Sequence, residues 1–222
     1  CNHYGKITIT SNDSTREHYA GGIVSSDSGG SANQVNTFTR CNNYGDITVD
    51  SAVKAYRAFA GGFTSSLETT VNACKFTFNN CNNYGNINIG GTYTSYSYIG
   101  GLVSSVHKEA KLICTDCTNS GEIKFIGSLG SYLRIGGFLG YAEHVPTTPQ
   151  FINCTNNGAV KISSDATVGA ESDIGGMVGI IAGNKTDGVE NIATLSLRNC
   201  SNLEGVDIEV ACTAPFKFNI GG

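Results

Sequence analysis

Six times along its 222 residues the chain opens nearly the same segment with a cysteine: CNHYGKITI at Cys1, CNNYGDITV at Cys41, CNNYGNINI at Cys81, CTNSGEIKF at Cys117, CTNNGAVKI at Cys154 and CSNLEGVDI at Cys200. Downstream of each comes a second signature, YAGGIVSS at Tyr19, FAGGFTSS at Phe59, YIGGLVSS at Tyr98, RIGGFLGY at Arg134, DIGGMVGI at Asp173 and NIGG at Asn219. An apolar stretch precedes each following cysteine: NTFTRC, KFTFNNC, KLICTDC, QFINC and LSLRNC. The cysteines stand 40, 40, 36, 37 and 46 residues apart. A period of this size marks a repeat architecture, in which each unit buries its apolar surface only by stacking on its neighbours.

All three stretches read as strands. Ile7-Thr8-Ile9, Ile47-Thr48-Val49, Ile87-Asn88-Ile89, Ile123-Lys124-Phe125 and Val160-Lys161-Ile162 alternate apolar and polar residues with period two. Phe38, Phe78, Cys114, Phe151 and Leu197 sit three residues before a cysteine and predict an apolar ladder on a second strand. Helical periodicity is absent. The two halves of the repeat, one with Cys-Asn-x-x-Gly and one with Gly-Gly, do not resemble each other. Stacking places like on like, so one coil per repeat is expected. The expected fold is all-β: a parallel β-helix of six coils, about 40 residues and three strands each, right-handed by the general crossover bias. It forms a single solenoid over residues 1–222, with repeats starting near Cys1, Cys41, Cys81, Cys117, Cys154 and Cys200. Strand edges left bare at both ends suggest a piece of a longer chain with flanking domains.

Composition bounds the function. Charged residues are 14% of the chain and the net charge is −4, with no basic stripe to neutralise phosphates, which argues against nucleic acid. No apolar run approaches the ~18 residues of a membrane span, so no membrane insertion is expected in this segment. Hydrophobic residues at 40% suffice for a core.

The marked positions read as structural. Gly5, Gly45, Gly85, Gly121 and Gly158 are expected where a corner needs positive φ, and Leu203-Glu204-Gly205 should distort the sixth corner. Asn2, Asn42, Asn82, Asn119, Asn156 and Asn202 are expected to stack as an amide ladder. The Gly-Gly pairs mark a bend or bulge. Six of the nine cysteines belong to the repeat, with Cys74, Cys114 and Cys212 extra. Side chains stacked in parallel suit buried free thiols better than bridges. The CxxC formed by Cys114 and Cys117 lies in a strand with no second ligand pair, which argues against redox or zinc chemistry. His3, His18, His107 and His144 share no motif and are expected in solvated loops.

The run IGGFLGYAEHVPTTPQFINCTNNGAV from Ile135 and IGGMVGI from Ile174 resemble the GLUG-type repeats of bacterial surface and secreted proteins. The resemblance implies an extracellular or cell-surface, adhesin-like β-solenoid. That motif carries no catalytic residue, so none is transferred. The first three repeats, with GGIVSS, GGFTSS and GGLVSS, depart from it.

The expected function is therefore a non-catalytic stalk, spacer or ligand-presenting adhesive module, with no cofactor or metal, whose partners are glycans or host or cell-surface proteins. The alternative is a carbohydrate-active β-helix enzyme, a polysaccharide lyase or glycosidase. Lys6, Asp46, Asn86 and Glu122 project into one outward column, and Thr8, Thr48, Asn88, Lys124, Lys161 and Asp207 into the next. Glu122 beside Lys124, with Lys161 one coil away, is the one charged cluster this places together. The broken threonine column counts against ice binding. The loops after the first strand vary most and hold Tyr56, Tyr93, Tyr96 and Tyr132, the expected ligand-binding residues.

Overall fold

The computed structural model describes residues 1–29, 34–69, 74–108, 110–143, 149–164, 171–182, 184–186, 189–191, 195–212 and 217–221. They form a parallel β-solenoid without a helix. Each repeat supplies one rung, and equivalent residues pair across rungs, as Ile7, Ile47, Ile87, Ile123, Val160 and Ile208 do in succession.

Each of the first five rungs contributes a strand to all five stacked sheets where three strands were expected, and the sixth contributes to the first three sheets among the described residues. The first sheet is a two-residue corner (Asn2–His3, Asn42–Asn43, Asn82–Asn83, Thr118–Asn119, Thr155–Asn156, Ser201–Asn202). The second comprises Ile7–Ser11, Ile47–Ala55, Ile87–Tyr93, Ile123–Leu129, Val160–Ser164 and Ile208–Cys212. The third comprises Glu17–Gly21, Arg57–Gly61, Ser97–Gly100, Leu133–Gly136, Glu171–Gly175 and Lys217–Gly221. The fourth is Val24–Gly29, Thr64–Thr69, Val103–Lys108, Leu139–Glu143 and Val178–Ala182, and the fifth is Val35–Thr39, Lys75–Asn79, Lys111–Thr115, Gln150–Ile152 and Ser196–Arg198. A two-residue strand is too short to show alternation, and the Gly-Gly signature divides between the third and fourth sheets.

That division is sharp. A Cβ on Gly61 would lie 2.1 Å from the Thr64 carbonyl oxygen, so only glycine permits the chain to fold back so closely. A Cβ on Gly62 would lie 2.3 Å from Cγ of Asn83 on the corner sheet. The bend thus presses inward until it meets the corner, and the interior splits into two cores. One packs Phe76, Phe78, Leu112, Phe138, Phe151 and the stacked cysteines; the other packs Ile47, Ile87, Ile99, Ile123, Phe125 and Ile135. The expected ladder before the cysteines is present, with Phe38, Phe78, Cys114, Phe151 and Leu197 in register.

The corner corrects two expectations. Positive φ falls on Arg40, Asn80, Asp116, Asn153 and Asn199, the residue before each cysteine, at 51° to 54°. Asn and Asp tolerate this left-handed region better than most residues. Among the described residues the positive-φ glycines are Gly91 and Gly205. Gly45 is required instead by stacking, because its Cβ would lie 1.8 Å from the Gly5 carbonyl oxygen. The asparagines form two columns, not one. Asn2, Asn42 and Asn82 continue as Thr118, Thr155 and Ser201, while the inward column is His3, Asn43, Asn83, Asn119, Asn156 and Asn202.

The inward column is a buried amide chain. Nδ2 of Asn43 donates to Oδ1 of Asn83 at 2.8 Å, Asn83 to Asn119 at 2.8 Å, and Asn119 to Asn156 at 2.9 Å. His3 begins it, with Nδ1 2.7 Å from Asn43 Oδ1. At the sixth corner a turn closes from Val206 N–H to the Leu203 carbonyl, and Oδ1 of Asn202 has no donor among the described residues. The inserted turn also moves the following register, so Glu209, not Asp207, pairs with Lys161.

Cys1, Cys41, Cys74, Cys81, Cys114, Cys117, Cys154 and Cys200 are unbridged thiols, most of them buried. Those of the stack donate to backbone carbonyls, as Cys117 does to Phe78 and Thr115 at 3.4 and 3.3 Å.

Candidate binding groove

The inward bend has a counterpart outside. Alternation sends Tyr19, Phe59, Tyr98, Arg134, Asp173 and Asn219 outward from the third sheet in one column. From the fourth sheet it sends out two columns: Ser26, Ser66, Ser105, Tyr141 and Ile180, then Glu68, His107, Glu143 and Ala182. The Gly-Gly fold turns these two outer faces toward each other. Phe59, Tyr98 and Tyr141 therefore form a third apolar cluster, buried although they point away from the solenoid's interior.

The groove is filled in the later repeats. Tyr98 and Tyr141 stack at 4.3 Å, and the Arg134 guanidinium lies 4.4 Å from the Tyr141 ring centre and 5.5 Å from that of Tyr98. Arg134 also donates to the Tyr98 hydroxyl at 3.2 Å and to Asp173 at 3.4 Å, and Asn219 donates to Asp173 at 2.8 Å. Burial pushes the Tyr98 hydroxyl pKa well up and that of Tyr141 up to about 12.

Around Ser66 it is open. Ser26, Ser66 and Ser105 occupy the positions that Tyr141 and Ile180 fill later. A cavity of about 310 Å³ remains, lined by Tyr19, Arg57, Phe59, Ser66, Glu68, Tyr96, His107 and Glu143. Arg57 forms an ion pair with Glu17, and its guanidinium lies 4.6 Å from the Tyr96 ring centre and 5.2 Å from that of Phe59. The Tyr19 hydroxyl donates to Glu17 at 2.6 Å. Burial and this bond push the Tyr19 pKa up to about 12. Burial alone would raise the Glu17 pKa, but the hydrogen bonds from Tyr19 and Arg57 and the guanidinium charge hold it below the ordinary glutamate range. Nδ1 of His107 lies 3.6 Å from Glu143 Oε2.

Of the four tyrosines expected to bind ligand, Tyr96 lines this cavity and stacks on Tyr98 at 4.9 Å. Tyr56 stands half-exposed beside it, 5.1 Å from the Arg57 guanidinium, and Tyr132 lies 5.1 Å from that of Arg134. Tyr93 is elsewhere. It ends a second-sheet strand facing inward, is 1% exposed, and donates its hydroxyl to the Gly90 carbonyl at 2.8 Å. The variable stretch that holds it is largely strand, so its ring is core. The histidines also depart from expectation: His3 joins the amide chain, His18 is buried with its pKa lowered by burial, and His107 lines the groove. His144 lies outside the described residues.

The cluster at Glu122, Lys124 and Lys161 sits on the outer face of the second sheet, away from the groove. Lys161 pairs with Glu122 at 2.8 Å, and the column behind it caps backbone: Asp46 accepts from the Asn86 N–H at 2.8 Å and Asn86 from the Glu122 N–H at 2.9 Å. Lys124 borders a shallow depression of about 180 Å³ with Thr48, Asp50, Asn88, Gly90 and Ile126. Among the described residues no three His, Cys, Asp or Glu side chains are grouped to hold a metal.

Phe59, Ser66, Glu68, His107 and Glu143 were not among the residues expected to bind. The signal was the last position of the Gly-Gly signature, serine in three repeats and Tyr141 or Ile180 in two. Comparison with protein-family models, with curated proteins and with solved structures finds no match.

Proposed function

We propose that this solenoid is a non-catalytic, ligand-presenting module of a cell-surface or secreted protein, and that the groove along its first three repeats binds a glycan. One observation carries the reading: where Ser66 stands in the position that Tyr141 fills two rungs on, aromatic rings, a fixed guanidinium, carboxylates and a hydroxyl converge on one cavity. A few placed polar groups beside aromatic walls, on a rigid scaffold, are what a saccharide site requires. The GLUG-like motif residues support the extracellular, bacterial and adhesin-like setting. The test is an oligosaccharide array probed with the native chain and with Ser66→Tyr, which fills the cavity as Tyr141 does two rungs on. Saccharide binding by the native chain and its loss in a folded Ser66→Tyr variant are expected. Absence of binding, or equal binding by both, overturns the reading.

A second reading, glycoside hydrolysis, is favoured by the placement of Glu68 and Glu143 in one column, two rungs apart. Two rungs set the two backbones about 9.6 Å apart, close to the carboxyl separation of an inverting pair. His107 stands between them in the column and faces Glu143. Release of reducing ends from an array-selected oligosaccharide would favour this reading over simple binding.

A further inference from the structure

Resting on the glycan reading above, we infer that the groove is blind-ended and recognises the terminal rings of a saccharide chain, not its interior. Two columns meet along the groove floor, and the members that line the cavity are Tyr19, Phe59 and Ser66, all from the first two rungs. On the third and fourth rungs the same columns close. Tyr98 and Tyr141 stack across the groove at 4.3 Å, and Ser105 is wholly buried. Arg134 holds this plug in place: its guanidinium packs on both rings, donates to the Tyr98 hydroxyl and pairs with Asp173. The lip is closed with it. Tyr96 lines the cavity and stacks on Tyr98 at 4.9 Å, while the His107 ring lines it from the facing sheet, 5.7 Å from that of Tyr141. His107 and Glu143 are turned toward each other at 3.6 Å, so they take part in the wall. A sugar ring moving along the solenoid axis from the second rung therefore meets packed aromatic side chains instead of more groove. Passing them would mean unstacking Tyr98 and Tyr141 and stripping Arg134 of its partners. The volume agrees: about 310 Å³ lies at the lower end of the roughly 300–1,000 Å³ range of small-ligand pockets, room for about one or two rings. A ring held in the cavity is thus at or next to a chain terminus, and the rest of the chain leads away from the wall.

Calorimetry on the native chain uses the two-, four- and six-ring members of cello-, manno- and N-acetylchito-oligosaccharide series, and of any series the array selects. In a series that binds, the three lengths should agree in Kd within about threefold, since added rings gain no contact beyond the wall. A bulky aryl group attached at one terminus of the oligomer should weaken binding at least about tenfold, and at the other terminus should leave it unchanged. Affinity that climbs with each added ring, or tolerance of the aryl group at both termini, overturns end recognition and leaves a glycan site. The wall itself is tested with Tyr98→Ala/Tyr141→Ala, its folding checked by far-UV circular dichroism and melting. The folded variant should accept the aryl group at the terminus where the native chain rejects it, and continued rejection overturns the wall's role. The native-chain comparison decides the matter if the variant does not fold. Absence of binding in every series, together with an empty array, overturns both readings.

Discussion

Nδ2 of Asn83 donates both to Oδ1 of Asn119 on the next rung, at 2.8 Å, and to the Gly85 carbonyl on its own rung, at 2.9 Å. One buried amide thus joins neighbouring repeats and closes its own corner. Replacing Asn119 with alanine removes the acceptor for Asn83 and the donor for Asn156, in a place without water. The expected loss is about 2–4 kcal/mol in denaturant unfolding, against under about 1 kcal/mol for Asn82→Ala in the half-exposed outer column. Asn119→Asp should cost more than alanine, since an ionised carboxylate only accepts and would be buried.

Two glycines test two different reasons for glycine. A Cβ on Gly85 would lie 2.0 Å from the Gly45 carbonyl oxygen, and neither backbone can yield without parting two rungs. Gly205 has φ of +83° and nothing within 4 Å of its would-be Cβ. Gly85→Ala should therefore lower stability by more than about 3 kcal/mol and Gly205→Ala by about 1 kcal/mol. Similar costs for the two, measured by chemical denaturation, would contradict the stacking explanation.

The cysteine column predicts graded reactivity. Cys1 is exposed, whereas Cys81, Cys114, Cys117 and Cys154 are buried, and burial pushes the Cys114 thiol pKa up. Because a reagent must reach the sulfur, an aromatic disulfide reagent should modify Cys1 at once and these four only as denaturant unfolds the chain. Prompt modification of all of them in buffer would show an open core.

The Glu17, Arg57 and Tyr19 trio makes stability depend on pH at both extremes. The Glu17 pKa is held below its ordinary value of 4.5, so its contribution is present above that pH and lost as pH falls through the folded value. The stability gap between native chain and Glu17→Gln should therefore close in acid. The Tyr19 pKa is raised from 10.0 to about 12, so its contribution is complete below 10 and lost as pH rises toward 12. Tyr19→Phe should flatten the alkaline fall in melting temperature.

The repeat, the alternating strand after each cysteine, the apolar ladder and the free thiols were legible because stacking imposes a period that sequence displays directly. The Asp46, Asn86 and Glu122 column was legible for the same reason. The position of positive φ was not, since Arg40 stands among the Asn and Asp residues that favour it, and glycine at Gly45 invited the conformational explanation over the steric one. Nor was the groove. Its walls meet only after the Gly-Gly fold turns two outer faces together, and alternation alone places Phe59 and Tyr98 in solvent. Tyr93 failed for a related reason: a residue in a stretch of variable length can still face the core.

The central claim, that the groove and not the second-sheet face meets the ligand, is tested most directly by mapping amide chemical shifts during titration with an array-selected oligosaccharide. The account predicts perturbations concentrated at Phe59, Ser66, Glu68, Tyr96 and His107. Perturbations centred on Thr48, Asn88 and Lys124 instead, with the groove silent, would contradict it.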